Sequence, residues 1–254
     1  ASFGRGFYVL DDYTPLRAIG NGALENDAVL FPVRDTWSYV ALTPMQARGK
    51  PTLGSDDFTA PNPPFGALIT YYLKNEHQSA KEERRETETE LRESGENVPV
   101  PGWEPLRAEA LEHDAQVLLM IRDAEGRAVR RIEGPAGAGI HRVNWDLRLP
   151  APNAIDLSTP GFTPPWVTPP QGPLAPPVRY RVEMALVSAD GVTPLGEPQE
   201  FEVKLVPGTV LPVPDYDDVT GFQRRTSELL RRAQGAAAEV RRAEERLRYM
   251  RAAL

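Results

Sequence analysis

No cysteine occurs in the 254 residues, which excludes a disulfide framework, a thiolate nucleophile and any metal site built on sulfur. Histidine is almost as scarce. His77, His113 and His141 stand far apart, none in a His-Glu-x-x-His or similar spacing, so neither a metal centre nor a cofactor site is expected on them. Long apolar runs are missing too. No stretch of about 18 apolar residues exists, so no membrane span is expected, and Ala1 to Gly6 has neither a charged leader nor an apolar stretch behind it. Positive charge is in deficit: 36 acidic against 29 basic side chains leave a net charge of -7, which argues against nucleic acid or an anionic membrane as the main partner. A serine nucleophile would have no Gly-x-Ser-x-Gly elbow to sit on. Gly134 to Gly139 is glycine-rich but lacks the lysine and following helix of a phosphate cradle, and reads as a hairpin connection.

What is abundant is proline, 26 residues against a usual share of about 5%, and that predicts long non-helical connections. Between them the chain is organised around Gly139 to Pro152. There Ile140, Val143, Trp145, Leu147 and Leu149 fall mostly at every second place, with His141, Asn144, Asp146 and Arg148 between. This is the period of a strand with one buried face. Trp145 is the expected core plug, and His141 is expected on the exposed face. Upstream, Gln116 to Asp123 and Ala128 to Glu133 flank a turn with Gly126 where a positive φ is needed, so three consecutive antiparallel strands are predicted. Strands at Phe65 to Leu73, Arg179 to Ser188 and Glu200 to Val206 complete a small sandwich. Asp190-Gly191 reads as a turn.

The remainder is read in order. Phe3 to Asp12 has strand character, and Tyr13 to Pro64 is irregular apart from short strands near Ala28 to Val33 and Trp37 to Leu42. Asp56 to Pro64 reads as a linker. Lys74 to Asn97 is charged enough to be a solvated helix or a mobile loop, and Val98 to Ala110 is a turn followed by a short helix. Pro150 to Pro177 is expected to be extended, pinned across the sandwich by Phe162 and Trp166. Asp215, Asp217 and Asp218 lie where a helix N-terminus favours carboxylates. From Phe222 onward proline is absent, and Phe222, Thr226, Leu229, Ala233, Ala236, Val240, Ala243, Leu247, Met250 and Leu254 are spaced alternately four and three apart. This is a heptad seam. Leu229, Val240 and Leu247 are its principal packing residues, and the partner is expected in the sandwich, in a second copy, or in sequence beyond Leu254. Both ends read as unfinished, so the chain is expected to be a piece of a larger protein or to self-associate.

Trp103 and Trp166 are the candidate glycan or partner contacts, since each sits in a Pro-rich loop rather than in the core pattern. No catalytic residue is assigned. Carboxylate pairs for glycoside hydrolysis stay open, because sequence supplies no distances.

Four pieces of the chain resemble the C-terminal part of bacterial BNR-repeat glycosyl-hydrolase-like proteins, relatives of sortilin/VPS10-type propellers. They are Gly4 to Asp12 with Thr14 to Arg17, Leu30 to Asp35, Asn62 to Ala67 with Tyr71 to Lys74, and His141 to Arg148. Asp123, Gly126, Val129 and Arg130, followed by Gly139, His141, Val143, Trp145 and Asp146, are similar to an immunoglobulin-like domain of FlgD type. Pro177 departs from that pattern, where a glycine is usual. The resemblance implies a mainly β chain: a propeller-derived segment at 1–60, an immunoglobulin-like antiparallel sandwich at 61–207 with a charged insert at 74–97 and a Pro-rich loop at 150–177, and a heptad helix at 215–254. It implies a secreted or cell-envelope protein, with the propeller portion of the parent or another protein as partner. The implied function is a non-catalytic structural and protein-interaction region. The alternative is an accessory glycan-binding region of a secreted hydrolase whose catalytic propeller would precede Ala1.

Overall fold

A computed structural model of the chain describes residues 9–40, 62–112, 114–155, 162–189, 191–208 and 215–253. Two compact units divide it, Ala1–Asp146 with Val178–Val206, and Leu147–Pro177 with Pro207–Leu254. Strand accounts for 30% of residues and helix for 33%, so the architecture is two β-sheets with a C-terminal helix, and strands do not dominate it.

In the first unit, β1 (Ala28–Leu30), β3 (Ala67–Leu73) and β6 (Gly139–Trp145) form one sheet in the order β1-β3-β6. The second sheet has the order β2-β8-β7-β4-β5, built from β2 (Thr36–Ser38), β4 (Gln116–Arg122), β5 (Ala128–Pro135), β7 (Arg179–Ser188) and β8 (Gly191–Leu205). One of the two sheets curls into a half-barrel. Only β2 against β8 is parallel among these pairs. The core lies where the sheets face each other. Val117, Leu119 and Ile121 alternate inward on β4 and Tyr180, Val182, Met184 and Leu186 on β7. Trp145 is fully buried and meets Tyr180 edge-on at 5.0 Å and Phe201 at 6.1 Å.

The expected plug is therefore in place, but its strand has a different neighbour. β6 pairs along its length with β3, in the register Trp145↔Ala67 to Gly139↔Leu73. The expected run of three consecutive antiparallel strands holds for β4 and β5 only. The chain changes sheets between Pro135 and Gly139, so this stretch is an arch rather than a hairpin. Tyr71 fixes the arch: its hydroxyl donates to Pro135 O at 2.6 Å, and burial pushes its pKa well above the ordinary phenol value. A side chain at Gly134 would meet that hydroxyl at 2.5 Å.

His141 is also placed differently from the expectation. It shares the inward parity of Val143 and Trp145, and Ile140 is the residue left 52% exposed. Period two counted back from Trp145 reaches Val143 and His141, whereas Ile140 is one place out of step. The β4–β5 turn is as read: Gly126 has φ +78°, and the Asp123 carboxylate accepts from Arg127 N at 2.9 Å and Arg127 Nε at 2.8 Å.

Among the described residues three α-helices also belong to this unit. α1 (Thr14–Ile19) stands in a segment read as irregular, started by Pro15 and by Asp12 Oδ1 accepting from Thr14 N at 2.9 Å. α2 (Ala80–Ser94) settles the charged insert as a helix with a reciprocal Ser79/Glu82 capping box, closed by Gly95 at φ +76°. α3 (Trp103–Leu111) follows the predicted turn and is clasped to α2 by Arg84, whose guanidinium donates to both Glu109 oxygens at 2.7 and 2.9 Å. Of the strand expected over Phe3 to Asp12, residues 1–8 lie outside the described residues, and Val9 and Leu10 are exposed.

In the second unit, the Pro-rich segment is held by backbone pairing rather than by aromatic anchors. Leu149 N donates to Pro173 O at 2.9 Å and Ala175 N to Leu147 O at 2.7 Å. Gly172 permits this approach, because a Cβ there would lie 1.9 Å from Leu149 O. Phe162 and Trp166 are 88% and 64% exposed, so neither pins the segment. The unit ends in α4 (Tyr216–Ala252), 37 residues long. Asp215 caps it as expected, accepting from Asp217 N at 2.8 Å and Asp218 N at 3.3 Å.

Candidate functional site

α4 is long because proline is absent from it, and alanine and arginine, both strong helix formers, far outnumber the helix-weakening Gly221 and Gly235. Its two faces differ in what covers them. Thr220 is buried, and Arg224, Ser227, Gln234 and Ala238 are half-buried along one stripe. On that stripe Gln234 Oε1 accepts from Ala154 N at 3.1 Å, and Arg231 reaches Ala151 O at 3.5 Å. The heptad seam lies on the opposite face. Phe222, Leu229, Val240, Leu247 and Met250 are 59–68% exposed, and Leu254 lies outside the described residues. The described seam residues are thus all on one face, opposite the stripe that is covered between Thr220 and Ala238, and from Glu239 to Ala252 every side of the helix is exposed among the described residues.

The first unit carries a cleft of about 160 Å³ that the sequence reading missed. Trp37, Tyr39 and Phe65 line it together with Asp11, Arg34 and Asp35. Period two on β2 produces it: Ser38 turns inward while Trp37 and Tyr39 stay exposed, and Tyr39 meets Phe65 edge-on at 5.1 Å. The signal was the Trp-Ser-Tyr alternation itself, with the small polar residue where a core strand would put a large apolar one. The charged groups are largely committed. Arg34 donates to Asp11 O at 3.0 Å, and Asp35 accepts from Glu202 N at 3.0 Å and Lys204 Nζ at 2.6 Å. The Lys204 ammonium, followed by the Glu202 amide, holds the Asp35 carboxyl below its ordinary pKa.

Trp103 and Trp166 belong to different units and are 87% and 64% exposed. His141 Nε2 faces Gly137 O at 2.7 Å and carries the proton, since a carbonyl only accepts. Its ring lies 5.2 Å from that of Tyr71. His77 is half-buried, and His113 lies outside the described residues. Among the described residues no group of three or more His, Asp or Glu side chains could hold a metal ion, and no helix is long and apolar enough to cross a membrane. Comparison with known proteins gives no match to a family model, to a curated protein or to a solved structure.

Proposed function

We propose that this chain is a non-catalytic region that docks on protein through the seam of α4. The observation that carries the reading is an apolar face left 59–68% exposed at Phe222, Leu229, Val240, Leu247 and Met250, opposite the stripe that is covered between Thr220 and Ala238. An amphipathic helix gains most of its stability from packing of its apolar face, and an apolar stripe of this length marks an interaction surface. The setting we propose, an immunoglobulin-like domain in a larger, extracellular, propeller-containing protein, rests on the sequence motifs. The buried Trp145 and the Asp123–Gly126 turn are consistent with the immunoglobulin-like part.

The test is whether the seam serves the chain's own fold. L229E/V240E/L247E, studied at low micromolar concentration, is expected to melt within about 2 °C of the parent, as surface substitutions do. A drop of 10 °C or more, on the order of 3 kcal/mol, would place the seam inside the fold and remove the reading.

A second reading, an accessory glycan-binding region, is favoured by the open aromatic faces of Trp103, Trp166 and Trp37. It predicts saturable polysaccharide binding that is lost in W103A, W166A or W37A. Binding unchanged in all three, or absent from the parent chain, would dismiss it.

A further inference from the structure

We propose that the α4 seam pairs with the same seam of a second copy of this chain, antiparallel, about a two-fold axis passing between Arg241 and Arg242. This rests on the reading of the seam as a protein-contact surface and names its occupant. With Phe222, Leu229, Ala236, Ala243 and Met250 as one row of the seam and Thr226, Ala233, Val240 and Leu247 as the other, the flanking positions are fixed. Arg225, Arg232, Glu239 and Arg246 border one side, and Gln223, Leu230, Ala237, Glu244 and Arg251 border the other. The stripe that Ala151 and Ala154 cover includes Arg231 and Gln234, behind both borders, so a second helix can lie along the seam without displacing that contact.

Charge decides the direction. In a parallel pair each residue of the first border meets the second border of its partner five places on. Glu239 would then face Glu244 of the second copy, and Arg246 would face Arg251, each twice by symmetry. Like charges at such positions oppose pairing. In an antiparallel pair the first borders face each other. With the axis between Arg241 and Arg242, Glu239 lies beside Arg246 of the second copy, again twice, and the like-charged contacts vanish. Glu239 also bonds Arg242 of its own helix at 2.7 Å, and its second oxygen is open to a cross-helix partner.

Side-chain size supports the same register. It sets Val240 on Ala243, Leu247 on Ala236 and Met250 on Ala233, one large residue against one small residue in each of these layers, which fills the space between helices evenly. A parallel pair would stack Ala on Ala at 233, 236 and 243 beside Leu on Leu at 229 and 247, and no single helix separation packs both. In this register Ala233 and Met250 bound the described paired stretch, which covers about 26 Å at 1.5 Å per residue, about two and a half heptads.

Because the chain contains no cysteine, single thiols report the pairing directly. A233C and M250C, prepared separately at about 100 µM, a concentration chosen for micromolar pairing, are each expected to stay unbridged by a short bismaleimide. In this register identical residues sit about 25 Å apart along the axis. An equal mixture of the two variants is expected to cross-link into a species of twice 28.1 kDa. E239R is expected to weaken the dimer about fivefold and E239R/R246E to restore it, the scale of a pair of exposed charge contacts. Bridging of A233C with itself, or a tighter dimer for E239R, would overturn the antiparallel pairing. An unbridged mixture, with the parent chain monomeric, would overturn self-pairing altogether. It would leave the docking reading to be judged by the melting of L229E/V240E/L247E, which does not depend on the partner's identity.

Discussion

Replacing Trp145 by alanine removes the largest fully buried side chain of the first unit. The indole fills the space between the two sheets, edge-on to Tyr180 at 5.0 Å and to Phe201 at 6.1 Å. Truncation forfeits its burial and leaves a cavity that close-packed neighbours on two sheets cannot collapse, a cost of about 3 to 5 kcal/mol. Each lost edge-to-face contact accounts for roughly 0.5 to 1.5 kcal/mol of it. For a unit of this size a kilocalorie moves the melting temperature by about 2 to 4 °C, so a fall of about 6 to 20 °C is expected. Differential scanning calorimetry is the assay, with W103A as the internal control. Trp103 is 87% exposed, and its truncation is expected to change stability by less than about 0.5 kcal/mol. Equal, small shifts for the two variants would refute the assignment of Trp145 to the core between the sheets.

Two other perturbations follow from backbone geometry and from titration. Gly66 has φ +127°, and a Cβ there would lie 1.9 Å from Trp145 O. Gly66→Ala is therefore expected to cost more than the roughly 1 to 3 kcal/mol of backbone strain alone, and a denaturant midpoint within error of the parent would contradict the β3/β6 register. Asp35 ties β2 to β8, and its pKa is depressed in the folded chain. Its contribution is thus fully present above the ordinary aspartate pKa of about 4, and is lost as pH falls below that value through the folded pKa. Because the pair is exposed, the effect is below about 1 kcal/mol. The stability gap between the parent and D35N should be measurable at pH 7 and close by pH 2, and a gap that widened on acidification would be the wrong sign.

Local rules were the legible part of this sequence. The burial of Trp145, the Asp123–Gly126 turn, the Asp215 cap and the helix carrying the heptad spacing of α4 all depend on neighbours a few residues away, and each has its expected form. What was not legible depends on partners far along the chain. β6 alternates identically whether β5 or β3 lies beside it, and only the Tyr71–Pro135 contact and the Trp145↔Ala67 register show that it crosses sheets. His141 was misplaced because Ile140, one residue out of phase, made the apolar face look shifted. β8 reaches back to Gly191, through Pro194 and Pro198, since β7 supplies a partner across an irregular register. The exposed cleft beside Trp37 forms only when Phe65, 28 residues on, comes against Tyr39. For α4 the apolar spacing announced one face correctly. The covered stripe at Thr220, Gln234 and Ala238 has no apolar periodicity to announce it, being built of polar and small residues.

Amide hydrogen exchange along α4, followed against protein concentration, tests the central claim most directly. An unpartnered seam leaves the helix near the bottom of the local stability range, whereas a seam covered by another chain shares that chain's protection. Protection from Leu229 to Met250 is expected to rise with concentration by the factor that mass action gives a dimer, while β4 and β7 exchange at a constant rate. Equal protection of the seam and the sheets at every concentration would mean that the chain covers its own seam, and the account would be wrong.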